Sequence, residues 1–289
     1  MIMKYYISFI LLSFLIVCFG FGSNITEQSG LINKIPQHNN VRSLTFMTLN
    51  IAHGRKNKFH QALLNKNKIK ENLNDIIRIF IRETPYVVAL QETDGPSFWS
   101  GNFNHVEYLS TQASFNSNFQ GYHVNNFGLH YGTAILASSK LEHSKSHTFT
   151  HHSFISLPKG FVLSTIKWPS EHNLYIDVIS VHLDFLLDSV RQKQIEEIVS
   201  VMKERNNPII LMGDLNADSS SSAFNYLIDN LNLKTYELNK IGLETFSRSN
   251  KRIDWILISK EMEFISYKVI NDKLSDHNAV ISEIALIRK

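Results

Sequence analysis

Residues 209–216, Ile-Ile-Leu-Met-Gly-Asp-Leu-Asn, constrain the fold of this chain more than any other stretch. A short, fully apolar run is the pattern of a strand buried on both faces. In α/β proteins such strands commonly deliver functional groups at their carboxyl ends. Here the run stops at Gly213, and two polar side chains follow, Asp214 and Asn216, separated by Leu215. In extended backbone both would point to one side. The first can be charged and accept a proton; the second is neutral and both donates and accepts. The pair suits activating a water and holding a polar anion. A plain turn explains the same residues, because Gly, Asp and Asn are common turn residues. The functional reading gains weight only if similar strand ends recur.

They do recur. Leu44–Leu49 reads as a strand ending at Asn50. From about His60 to Glu83 the pattern is helical, with Ile69, Leu73, Ile76, Ile77 and Phe80 on one face. Tyr86–Leu90 is a second buried strand, ending at Gln91-Glu92. Residues 94–119 are the least regular and rich in aromatics, as functional loops often are. Gly132–Ser138 looks like a short strand, and the four histidines at 143, 147, 151 and 152 read as a solvated hairpin rather than a metal site. Paired strands at 161–168 and 174–181 end at His182, and Asp188 is the expected N-cap of a helix to about Arg205. A serine run at 219–222 leads into a short helix ending near Leu231. Asp254 stands near the start of another strand, 264–270 is the next, and Ser275-Asp276-His277 precede the last, Ala279–Leu286. The two halves share an order: polar strand end, helix, apolar strand ending in an acid. That predicts an α/β protein of two similar sheets packed face to face, with outer helices.

Composition bounds the rest. The 289 residues are 43% apolar, enough for a sizeable core. The one cysteine, Cys18, excludes an internal disulfide and a cysteine-based zinc site. A net charge of +3 is far from the signature of a chain that binds nucleic acid by charge alone. Lys4 precedes an almost wholly apolar run from Tyr5 to Gly22, ending in small residues. A cleaved secretory signal is the first reading of residues 1–22, an uncleaved anchor the second. A lipoprotein signal at Cys18 ranks third, because Val17 is larger than the residue normally found there. Residues 23–42 carry no clear period and read as a linker, so the domain is expected at 43–289.

The polar strand ends are Asn50, Glu92, His182, Asp214 with Asn216, and Asp276 with His277. Asp254 is a plausible partner for a histidine. Singly, each has a plain explanation as a turn, a cap or a satisfied core residue. Jointly, Thr48-Leu49-Asn50, Leu90-Gln91-Glu92, Ser180-Val181-His182-Leu183, Gly213-Asp214-Leu215-Asn216, Arg252-Ile253-Asp254 and Ser275-Asp276-His277 resemble, in order, the motifs of the endonuclease/exonuclease/phosphatase superfamily. The resemblance spans about Leu44 to Leu286. It implies the DNase I-like fold, a four-layer α/β sandwich of two sheets, and hydrolysis of phosphate esters with Mg²⁺ or another divalent cation such as Mn²⁺ or Ca²⁺. It implies Glu92 as the principal metal ligand with Asn50 and Asp276 beside it, and Asp214 as the base that takes a proton from water. Asn216 would hold water or phosphate. His182 and His277, the latter paired with Asp254, would bind non-bridging oxygens, or one of them would act as acid and base. Arg55 is a phosphate contact or a surface arginine.

The substrate is open at this level, since fold does not choose it. The first reading is an exported, monomeric phosphodiesterase acting on a lipid head group or other small phosphate ester, with contact to a membrane surface. The second is an exported nuclease, and the third a catalytically silent binding protein. Export predicts that N-terminal sequencing of the secreted protein begins after the apolar run; a start at Met1 would refute cleavage.

Overall fold

A computed structural model of the protein describes residues 42–153, 155–246 and 248–287. The expected leader and, save residue 42, the linker lie outside the described residues. Two pairs of parallel strands form the centre of the fold, and each pair needs a crossover. β1 (Ser43–Asn50) and β2 (Val87–Asp94) are joined through helix α1 (Lys66–Glu83). The second half repeats the unit with β7 (Tyr175–His182) and β8 (Ile209–Asp214) around α3 (Asp188–Lys203). The remaining strands add on antiparallel: β3 (Ser117–Asn126), β4 (Leu129–Ala137), β5 (Glu142–Thr148), β6 (Gly160–Lys167), β9 (Leu233–Lys234), β10 (Asp254–Ser259), β11 (Met262–Ile270) and β12 (Ala279–Leu286). Two six-stranded sheets result, in the orders β11-β12-β1-β2-β4-β3 and β5-β6-β7-β8-β10-β9. The other α-helices among the described residues are α2 (His105–Gln112) and α4 (Ser222–Leu231).

The continuous apolar runs have a simple cause: the central strands are covered on both faces. In β1, Phe46 enters the core between the sheets while Met47 packs beneath α1. In β8, Ile210 and Met212 face the other sheet and Leu211 faces the helices. The layers therefore run helix, sheet, sheet, helix, the predicted α/β sandwich.

Several local expectations change. The first long helix begins at Lys66 rather than His60, because Asn65 caps it by accepting from the Lys68 amide at 2.9 Å. Asp188 is the first helical residue, not the cap. The Leu186 and Leu187 amides are taken instead by Asp184, at 2.9 and 3.0 Å. The irregular region holds α2, capped by Asn104, and then β3. β3 lies at a sheet edge and is largely polar, so no apolar run announces it. His147 and His151 both contact Glu197, at 2.9 and 3.0 Å, tying edge strand β5 and the following loop to α3.

Because Phe46 is fully buried between the sheets, Phe46→Ala is expected to cost about 3–5 kcal/mol. Urea unfolding measures it, and a loss below about 1 kcal/mol would contradict the packing described.

Candidate active site

Strand register brings the polar residues to one edge. His182 pairs with Asp214 across β7 and β8, and Asp214 with Asp254 across β8 and β10. Asn50 ends β1 beside Gln91. Glu92 sits at a β-bulge between Gln91 and Thr93, with φ +51°. The extra residue turns its side chain out of the ladder, at a backbone cost on the order of 1 kcal/mol. Gly213 has φ +148°, and a Cβ there would lie 2.0 Å from the Val181 carbonyl oxygen, so only glycine lets β8 deliver Asp214.

The two sheets meet through polar contacts. Asn50 Nδ2 donates to Asp214 Oδ2 at 3.0 Å, and its Oδ1 accepts from the Ala52 amide. The Asn216 amide donates to Asp214 Oδ1 at 2.9 Å, while the Asn216 side chain donates to the Leu183 carbonyl. Asp214 is buried, and its carboxyl is pushed up to about 7. Burial is the main cause; Asp254 adds to it and His277 opposes it. Asp254 Oδ2 lies 2.9 Å from His277 Nδ1, and His277 Nε2 faces Asp214 at 3.7 Å. Burial disfavours the charged imidazole, but the two carboxylates outweigh it and raise His277 to about 10.

Glu92 is set differently. Among the described residues its carboxylate accepts no hydrogen bond. Instead His53 Nε2, Lys159 Nζ and His182 Nε2 stand 3.5, 3.8 and 3.9 Å away. Burial disfavours its charge, yet this cationic surround, led by His53 and Lys159, holds its carboxyl below the usual range. His182 is pushed well below its ordinary value by burial and by Lys159, whose Nζ lies 3.3 Å from both ring nitrogens. Asp276 pairs with Arg55 at 2.9 Å and Arg248 at 3.5 Å.

The structure thus gathers Asn50, Arg55, Glu92, His182, Asp214, Asn216, Asp276 and His277 around one cleft of about 570 Å³, with Asp254 buried behind. Two donor sets could serve a cation. Asp214, Asp254 and His277 offer one atom each, all within 4.8 Å of one another. Glu92, Asn50 and Asp276 offer oxygen only, the choice of a hard cation. In the second set Glu92 accepts no hydrogen bond among the described residues and lines the cleft, whereas Asp276 is paired with Arg55 and Arg248 and Asn50 Oδ1 accepts from the Ala52 amide.

Sequence reasoning missed His53, Asp94 and Lys159. His53 Nδ1 lies 3.0 Å from buried Asp94, which also accepts from Trp99 Nε1 at 3.1 Å. Asp94–His53–Glu92 thus has the same aspartate–imidazole–carboxylate order as Asp254–His277–Asp214. The nearness of His53 to Asn50 in the chain was a usable signal. Lys159, in a loop before β6, offered none.

The model of the endonuclease/exonuclease/phosphatase family matches residues 47–277. The chain belongs to this family. No curated protein matches the sequence. Among solved structures, a family protein from Leptotrichia buccalis is 19% identical, with a TM-score of 0.65 and coverage of 84% of this chain and 100% of that one. A mannosyl-6-phosphatase from Bacteroides thetaiotaomicron is 16% identical, TM-score 0.63, covering 84% and 100%. A beta toxin from Staphylococcus aureus is 14% identical, TM-score 0.59, covering 83% and 99%. At these identities the likeness concerns the fold.

His277 has its folded value raised from 6.5 to about 10, so protonation favours the folded state. Its contribution is complete below pH 6.5 and is lost as pH rises toward 10. Asp254→Asn should flatten that decline in urea unfolding of the metal-free protein. An unchanged slope in the variant would remove Asp254 as its cause.

Proposed function

We propose that this protein is an exported, divalent-cation-dependent phosphoesterase that cleaves its substrate by attack of water. The substrate is a phosphodiester on a lipid head group or another small phosphate ester. The observation that carries this reading is the Glu92 carboxylate, charged, free of hydrogen bonds and set across one cleft from a buried Asp214 of raised proton affinity. Family membership supports phosphoester chemistry, and so does the presence of a mannosyl-6-phosphatase among similar folds. The apolar stretch at residues 5–22 supports export.

Glu92, Asn50 and Asp276 would hold Mg²⁺, or Mn²⁺ or Ca²⁺. When bound, such an ion polarises a phosphoryl oxygen and offsets the charge of the ester. Asp214 takes the proton of the attacking water, and a carboxyl pushed up to about 7 is a competent base near neutral pH. Asn50 and the Asn216 amide hold its two oxygens in place. His277, charged and oriented by Asp254, donates from Nε2 to a non-bridging oxygen as negative charge accumulates there. His182 enters neutral and serves as a hydrogen-bond partner, with the Lys159 charge beside it. Arg55 and Arg248 present their guanidinium groups to the phosphate from the Asp276 side.

Chelation with EDTA should abolish turnover, and Glu92→Ala and Asp214→Ala should each lower kcat by about 10²-fold or more. Activity surviving EDTA, or unchanged in Glu92→Ala, would remove the cation from the mechanism. Sphingomyelin and phosphoinositide hydrolysis, measured beside plasmid nicking with Mg²⁺ and Ca²⁺ each supplied, tests the substrate class; nicking alone would favour a nuclease.

A further inference from the structure

Soluble domains rarely concentrate large apolar side chains on one wet surface without a use for them. Among the described residues four phenylalanines are exposed: Phe59, Phe98, Phe127 and Phe185. All four stand on loops at the catalytic edge. Phe59 follows Asn50 in the loop that carries Arg55. Phe98 follows β2, and its amide donates to Gly128 in the turn joining β3 to β4. Phe127, 91% exposed, is in that turn, which projects beyond the Asp94–Tyr131 pair. Phe185 follows His182 and lines the cleft. The loop between β5 and β6 adds Ile155, 70% exposed; register places this loop in line with His182, since Thr148 pairs with Gly160 and Gly160 with His182.

We infer that this edge is a membrane-docking rim: its apolar tips enter the outer layer of a phospholipid bilayer while a phosphate-bearing head group rises into the cleft. This rests on the phosphoesterase reading of that cleft. The charge pattern fits, because Arg55, Arg191, Arg248 and Lys251 line the cleft and outnumber its carboxylates Glu92, Asp214 and Asp276, which suits anionic head groups. Apolar insertion beside basic attraction is how interfacial proteins bind. The apolar groups come from several loops along the edge that carries the polar cleft, as insertion between head groups requires. Ile155 and Leu186, both exposed on this edge, cannot stack on nucleobases, so the rim suits acyl chains better than single-stranded nucleic acid.

Sedimentation with phosphatidylcholine vesicles, with and without phosphatidylglycerol, tests docking; EDTA throughout separates it from turnover. The full chain should bind, and binding should strengthen with phosphatidylglycerol. Phe59→Ser/Phe127→Asn/Ile155→Ser should lower the vesicle partition coefficient about tenfold or more. It should leave metal-dependent hydrolysis of soluble bis(p-nitrophenyl) phosphate within about twofold, since none of these residues touches the reacting groups. Ile81→Ser/Tyr175→Ser/Ile265→Ser, at exposed positions away from this edge, should bind as the parent does. Absence of vesicle binding by the full chain, or equal binding by the rim variant, would overturn the inference. So would a rim-dependent affinity for single-stranded DNA without one for vesicles. Vesicle binding with no hydrolysis of any ester would leave the docking rim standing and defeat the phosphoesterase reading alone.

Discussion

Asn50 closes a strand of one sheet and Asp214 a strand of the other, and the amide of the first donates to the carboxylate of the second at 3.0 Å. Both residues are buried, so losing this partner is costly. An unpaired carboxylate at that depth would cost about 1–3 kcal/mol or more. A second polar tie lies just behind it, where Gln91 Nε2 donates to Ser180 Oγ at 3.0 Å. The packing of the sheets, the placement of Asp214 and its proton affinity are therefore a single constraint. A one-residue slip in the pairing of β8 with β7 would reverse the faces of β8 and take the acid away from the amide.

Within that frame the acids are given different tasks by their neighbours. Glu92 meets His53 and Lys159, which hold its carboxyl below the usual range. Asp214 meets burial and the Asp254 carboxylate, which raise its affinity for a proton. Each acid also faces an imidazole held by a buried aspartate, Asp94 behind His53 and Asp254 behind His277. The loops that leave this edge carry Arg55, Arg248 and Lys251 of the cleft as well as the exposed phenylalanines.

Much of the architecture was legible because its signal is local. Strands covered on both faces read as apolar runs, and α1 as an amphipathic helix, without knowledge of any partner. β3 and α2 were not legible: one is a polar edge strand and the other a short helix, so neither carries a long periodic stripe. The helix starts shifted for a related reason. Asn65 and Asp184, rather than the nearest apolar periodicity, decide where the free amides end.

The site divides in the same way. The chain itself determined that polar residues stand at strand ends, since an apolar run stopping at Asn50, Glu92, His182 or Asp214 is written in order. Its register with the family motifs followed from that order. Only the tertiary structure decided what those residues are to one another. Lys159 and His53 reach Glu92 from separate loops, Asn216 spends its side chain on the Leu183 carbonyl, and Arg55 faces Asp276 across 221 positions of chain. Burial and charge at a site sum over groups brought near in space, and a linear sequence carries residue types and spacing but not those distances.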